Sequence, residues 1–137
     1  MTTHPLSPAA RWLLGLYRIP WLLWPLRGGH VLSLAWAFWL ALRPVEELPL
    51  PDINDKVAHA VGLGALTLAA GLLHRRLPIA WLAALLMGYG IAIEVAQSFV
   101  PWRSASLADV MADALGVLIA TVLLHNTAML RQFRTSV

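Results

Sequence analysis

The stretch 94–116, EVAQSFVPWRSASLADVMADALG, sets Glu94, Gln97, Arg103, Asp109 and Asp113 inside the most apolar half of the chain. Ionisable side chains in such surroundings are expensive, and they mark a ligand, ion or proton site or a partner of opposite charge. Upstream, Asp55, Lys56 and His59 add a second polar group at helical spacing. An imidazole among carboxylates offers the donor types of a divalent-metal site and the groups for acid–base work. Arg103 and Lys56 are suited to reading anionic oxygens. More specific signatures are missing: the sequence has no two-histidine zinc motif and no nucleophilic serine in a recognisable elbow. It also has no cysteine, which removes disulfides, thiol catalysis and cysteinyl metal sites.

Each of these residues has a structural reading beside the chemical one. Asp55 and Asp109 stand near expected helix starts, where a carboxylate caps free N–H groups and suits the helix dipole. Lys56 can snorkel, and His59 can be a core histidine bonded to a backbone carbonyl or to Asp55. Arg103 opposes the charge bias of its side, so a partner such as Glu94 or Asp109 is its leading explanation and anion binding the second. Glu94 lies within a span and has no capping duty in this reading. Its structural alternative is a pair with Arg103 or His59.

The elements that must position them follow from composition. The 137 residues are 59% hydrophobic and 12% charged, with a mean hydropathy of +0.69, which points to a small integral membrane protein. The basic pI of about 10.2 comes from scattered Lys and Arg with no basic stripe, so nucleic acid is not an expected partner. Residues 1–27 interleave Arg11, Arg18 and Arg27 with Trp12, Tyr17, Trp21 and Trp24 and are broken by Pro20 and Pro25. This reads as an interfacial segment and not a signal peptide. A membrane domain over 28–125 then holds four spans: 28–42, whose start is open and which is short unless it borrows from 24–26, then 55–73, 79–99 and one from about 106 to 124. A proline-broken connector, VEELPLPDIND, follows the first span, Ser106-x-x-Asp109 has the form of a capping box opening the last, and 126–137 is a polar tail. With the amino end cytoplasmic, seven arginines lie inside against Arg43, Lys56 and Arg103 outside. Both termini are therefore expected to be cytoplasmic, with the acidic residues toward the extracytoplasmic side.

Helical rise brings the polar residues into one layer. His59 lies about 6 Å into its span, and Asp113 and Glu94 about 9 Å into theirs. Asp55 and His59, Glu94 and Gln97, and Asp109 and Asp113 each project from a shared helix face. Small residues at Ala84, Gly88, Ala92 and Ala96, and at Ala112, Gly116 and Ala120, predict a tight hairpin of the third and fourth spans, and Gly62, Gly64 and Gly71 let a neighbour approach the second. The first of these stripes also leaves a homodimer open.

Asp55-Lys56-x-x-His59 opening one helix, Glu94-x-x-Gln97 closing the next, and Pro101-x-Arg103-x5-Asp109-x3-Asp113-x2-Gly116 opening the last resemble the VanZ-like family. The resemblance covers roughly residues 36–125, and it departs from the family at Asp113, where Asn is usual, and at Leu63, where an aromatic residue is common. It implies an all-α, four-span protein of the bacterial cytoplasmic membrane, in a family whose namesake is linked to teicoplanin resistance. The expected function is an outward-facing pocket binding a membrane lipid, a lipid-linked wall precursor or a glycopeptide, with Asp55, Lys56, His59, Glu94, Gln97, Arg103, Asp109 and Asp113 around it. No cofactor is required by that reading. The alternative is an intramembrane enzyme acting on a lipid-linked envelope substrate through a divalent metal or acid–base groups. Proton- or ion-coupled transport through Glu94 and His59 is disfavoured, because the inner halves of the spans offer no polar path to a monomer.

Overall fold

The computed structural model describes residues 20–44, 47 and 54–126. The expected interfacial segment before residue 20, most of the proline-rich connector and the tail after 126 lie outside them. Among the described residues the elements are helices: α1 (Pro20–Ala41), α2 (Asp55–Leu73), α3 (Ile79–Gln97) and α4 (Leu107–Asn126). The second, third and fourth match the expected spans within two or three residues.

The first helix differs. It starts at Pro20 and runs through Pro25 for 22 residues, so neither proline breaks it. Proline is well suited to a helix's first position, while Pro25 costs one backbone hydrogen bond. The extra turns bring α1 to about 33 Å, the length that 28–42 alone lacks. They also bring in Arg27, and together with His30, two glycines and four tryptophans these residues leave α1 outside the set of helices whose hydropathy suits a membrane span. Three of the described helices, α2, α3 and α4, are long and apolar enough to cross a membrane, and this corrects the expectation of four such spans.

Packing centres on α2 and α4, which share the most extensive helix contact. A Cβ on Gly116 would strike the Ala60 carbonyl oxygen, and one on Gly64 would lie 3.2 Å from the Gly116 carbonyl oxygen. Backbone therefore meets backbone, which is what small residues permit inside a bilayer. The hairpin of α3 with α4 is the lesser contact. Of the stripe expected to make it, Ala84, Gly88 and Ala92 are exposed and Ala96 is half-buried, and Gly88 has open space around it. Leu63, Ala70, Leu82, Leu86 and Val117 form the core between α2, α3 and α4. Trp81, Leu85, Leu118 and Ile119 face outward, as expected of helices surrounded by hydrocarbon, which offers apolar side chains no reason to turn inward.

Side chains fasten α1 at both ends. Arg27 Nε donates to the Leu73 carbonyl at 3.0 Å, and His30 Nε2 lies 3.2 Å from that of Leu66. At the other end Gln97 Nε2 donates to Ala41 O at 2.9 Å and Trp102 Nε1 to Leu42 O at 3.0 Å. Three of these bonds go to carbonyls that a helix terminus leaves free, those of Leu73, Ala41 and Leu42.

Candidate functional site: a polar mouth on an apolar cavity

Helix capping decides which carboxylates are free for other work. Asn54 caps α2, its side-chain oxygen accepting from the Lys56 backbone N–H at 3.0 Å. Asp55 is released from that duty and instead accepts from Arg103 Nη2 at 3.3 Å. At α4, Ser106 Oγ accepts from the Ala108 N–H at 3.2 Å. The return arm of a capping box would carry Ser106 N–H to Asp109, but here that N–H donates to Glu94 Oε2 at 2.8 Å. Glu94 therefore does have a capping role, contrary to the sequence expectation, and it acts across helices. Asp109, displaced from the box, lies 3.3 Å from Lys56 Nζ.

His59 stands where these elements meet. Its Nδ1 is 3.2 Å from Asp113 Oδ1, and its Nε2 is 3.7 Å from Glu94 Oε1. The Asp113 carboxylate reaches this position because α3 presents no side chain at Gly90: a Cβ there would sit 2.5 Å from Asp113 Oδ2. Asp109, Asp113 and Glu94 are all buried, while the Lys56 ammonium and the Asp55 carboxylate are about half exposed. The gradient runs from a wet rim at Asp55 and Lys56 to a dry interior at Asp113.

Sequence spacing thus brings together Asp55, Lys56, His59, Glu94, Arg103, Asp109 and Asp113. Gln97 is the exception, since its amide is turned to the end of α1. Arg103 pairs with Asp55 and not with Glu94 or Asp109, because the 98–103 turn folds back toward the start of α2. Lys56 pairs with Asp109 in place of free snorkelling, and Trp102, in the turn beside Arg103, gives its N–H to the Leu42 carbonyl.

Below this cluster lies a cavity of about 230 Å³. Ala37, Leu40 and Ala41 of α1, Ala58, Gly62, Leu63 and Leu66 of α2, and Tyr89 and Ile93 of α3 form its walls, with Asp55, His59 and Arg103 at one end. From Asp55 to Leu66 the rise along α2 is about 16 Å. Tyr89 is a residue the sequence left unremarked: its hydroxyl donates to the Leu34 carbonyl at 2.6 Å, which satisfies its polar atom inside an apolar wall. Its four-residue offset from Ile93 on the same face of α3 was the available signal.

Four carboxylates stand here against Lys56, Arg103 and one imidazole. Both fixed cations are engaged by acids, so the cluster is an acid-rich rim with no unengaged positive charge of its own. Among the described residues, ligand atoms of Asp55, His59 and Asp109 all lie within 4.8 Å of one another.

Three apolar spans, a fastened first helix and a polar cluster at one end of the bundle define a multi-pass α-helical membrane protein. A model of the VanZ/LLP1 family matches residues 19–130, and the chain belongs to that family. The matched region begins one residue before α1 and includes the whole of that helix. No curated protein and no solved structure matches the chain.

Proposed function

We propose that this protein binds an amphiphile of the bacterial cell envelope, a lipid or lipid-linked wall precursor, with the apolar chain in the cavity between α1, α2 and α3 and the polar head at Asp55, His59 and Arg103. The observation that carries this reading is the form of the cavity, which extends about 16 Å along α2 from Asp55 to Leu66 between largely apolar walls, with its acidic and basic side chains at one end only. Such a space matches a molecule that is itself apolar along its length and polar at its end. Gly62, exposed and without a side chain, leaves the cavity wall low on the flank of α2, a lateral route for a chain arriving from the bilayer.

The distribution of arginines supports a cytoplasmic-membrane location with both termini inside and the polar mouth outside. An outward mouth would meet wall precursors and glycopeptides, which would accord with the link of the family's namesake to teicoplanin resistance. The reading is tested with a lipid analogue carrying a diazirine along its chain. Photolysis is expected to label peptides containing Leu40 or Leu66, and Ala58→Phe is expected to abolish that labelling and any protection against teicoplanin. Labelling confined to outward residues such as Trp81 and Leu118, unchanged in Ala58→Phe, would overturn it.

A second reading, acid–base catalysis on a lipid-linked substrate, is favoured by one observation. His59 is held between Asp113 and Glu94 at 3.2 and 3.7 Å and lines the same cavity, the arrangement of an imidazole oriented by one carboxylate and able to exchange a proton at its far nitrogen.

A further inference from the structure

The acid-rich rim poses a difficulty for an anionic headgroup. Arg103 and Lys56 lie 3.3 Å from Asp55 and Asp109, and neither is spare for a phosphate. Glu94 Oε1 is buried without a hydrogen-bond partner although Oε2 of the same group is bonded. It points at His59 Nε2, 3.7 Å away. Buried carboxylate oxygens left in this state call for a cation or a proton.

We infer that Asp55, His59 and Asp109, together with Glu94, form a divalent-cation site at the cavity mouth whose open positions take the phosphate of a phosphorylated amphiphile. The three-residue set already has ligand atoms within 4.8 Å of one another, a span an ion can close by small side-chain rotations. Asp113 completes the arrangement from behind. By accepting from Nδ1 it fixes the tautomer that leaves Nε2 to bind metal, as the carboxylate behind a ligating histidine usually does. An Asn at that position could accept the same hydrogen bond through its amide oxygen. One imidazole with carboxylate oxygens suits Mn²⁺ or Zn²⁺ better than a purely oxygen-seeking ion. The ion would draw Asp109 away from Lys56 and would convert an acid-rich rim into one that attracts phosphate.

This inference rests on the amphiphile reading for its second ligand, but the metal is tested without any lipid. The full-length protein, purified in detergent and stripped with chelator, is titrated with Mn²⁺ and separately with Zn²⁺, followed by calorimetry and metal analysis. About one ion per chain is expected. His59→Gln and Glu94→Gln are expected to weaken binding by at least ~10-fold, and Asp113→Asn by less than Asp113→Leu. Lys56→Gln provides a readout that misfolding cannot imitate: removing the competing ammonium from Asp109 should tighten binding several-fold. Gly62→Phe, which fills the cavity, should leave metal binding intact while blocking the lipid. Failure of both ions to bind, or equal binding by wild type and His59→Gln, or weaker binding in Lys56→Gln, overturns the metal site. Lipid labelling that persists alongside such a failure leaves the amphiphile reading standing on its own.

Discussion

Glu94 does two jobs with its two oxygens. Oε2 holds the Ser106 N–H that opens α4, and Oε1 is turned to His59. The two can be separated by substitution. Glu94→Gln keeps an oxygen for Ser106 and should unfold within ~1 kcal/mol of wild type while losing function. Glu94→Leu leaves the amide unsatisfied in a dry site and should cost about 1–3 kcal/mol. Thermal unfolding in detergent distinguishes them, and equal melting temperatures would remove the cap from the account. Gly90 is the companion case: a methyl group there meets Asp113 Oδ2 at 2.5 Å. Gly90→Ala should therefore push Asp113 off His59 and destabilise the fold by about 1–3 kcal/mol. The polar residues themselves were legible in the sequence, because an acid inside an apolar helix is conspicuous. Their partners were not. Asn54 takes the cap that Asp55 would have held, which frees Asp55 for Arg103, and a backbone amide of one helix captures the acid of another. Both outcomes depend on tertiary position, which spacing within a helix does not encode.

At the scale of the helices, α2 is the axis. Its small residues seat α4, and its capped start presents Asp55 and His59. Gly116→Ala would drive a methyl group into the Ala60 carbonyl and should separate α2 from α4, whereas Gly62→Ala enters open space and should be neutral. Unfolding midpoints of the two variants, compared side by side, check the assignment. The sequence identified Gly62, Gly64, Gly71 and Gly116 as close-contact positions, of which Gly62 instead meets open space, and it paired α4 with α3, because small-residue spacing identifies a face without naming its neighbour. At the opposite end of the bundle His74, just beyond α2, lies 3.4 Å from His30. Burial, with His30 and Arg27 nearby, lowers its pKa from the usual 6.5. Protonation there is disfavoured in the folded protein. The contact should therefore carry no penalty above about pH 6.5 and should lose stability as the pH falls from there toward the lowered value. His74→Gln should flatten that slope in a melting series from pH 8 to 5, and an unaltered slope would assign it to other groups.

On the scale of the whole molecule the described residues form three apolar spans and a longer first helix, interrupted by Arg27 and His30, fastened to them at both ends. Helix number and type were legible from apolar runs and turn residues. The start of α1 was not, because Pro20, Pro25 and Arg27 look like interruptions until Arg27 is seen bonding the end of α2. Orientation is open to a direct test, since the chain lacks cysteine. Ser104→Cys should react with an impermeant maleimide added to intact cells, and Arg76→Cys only after permeabilisation; the reverse pattern would invert the molecule and place the polar mouth on the cytoplasmic side.

The arrangement of helices, cavity and polar mouth is best judged by equilibrium binding of a fluorescent polyprenyl phosphate to the purified protein in nanodiscs with Mn²⁺ present. Wild type should bind saturably at one site per chain. Gly62→Phe, which occupies the cavity, should weaken binding by at least ~10-fold, the cost of excluding a few tens of Å² of apolar chain from the protein. Gly88→Phe, of equal bulk on the open face of α3, should bind as wild type does. Binding that fails to saturate in wild type, or that survives unchanged in Gly62→Phe, would contradict the cavity as the binding site.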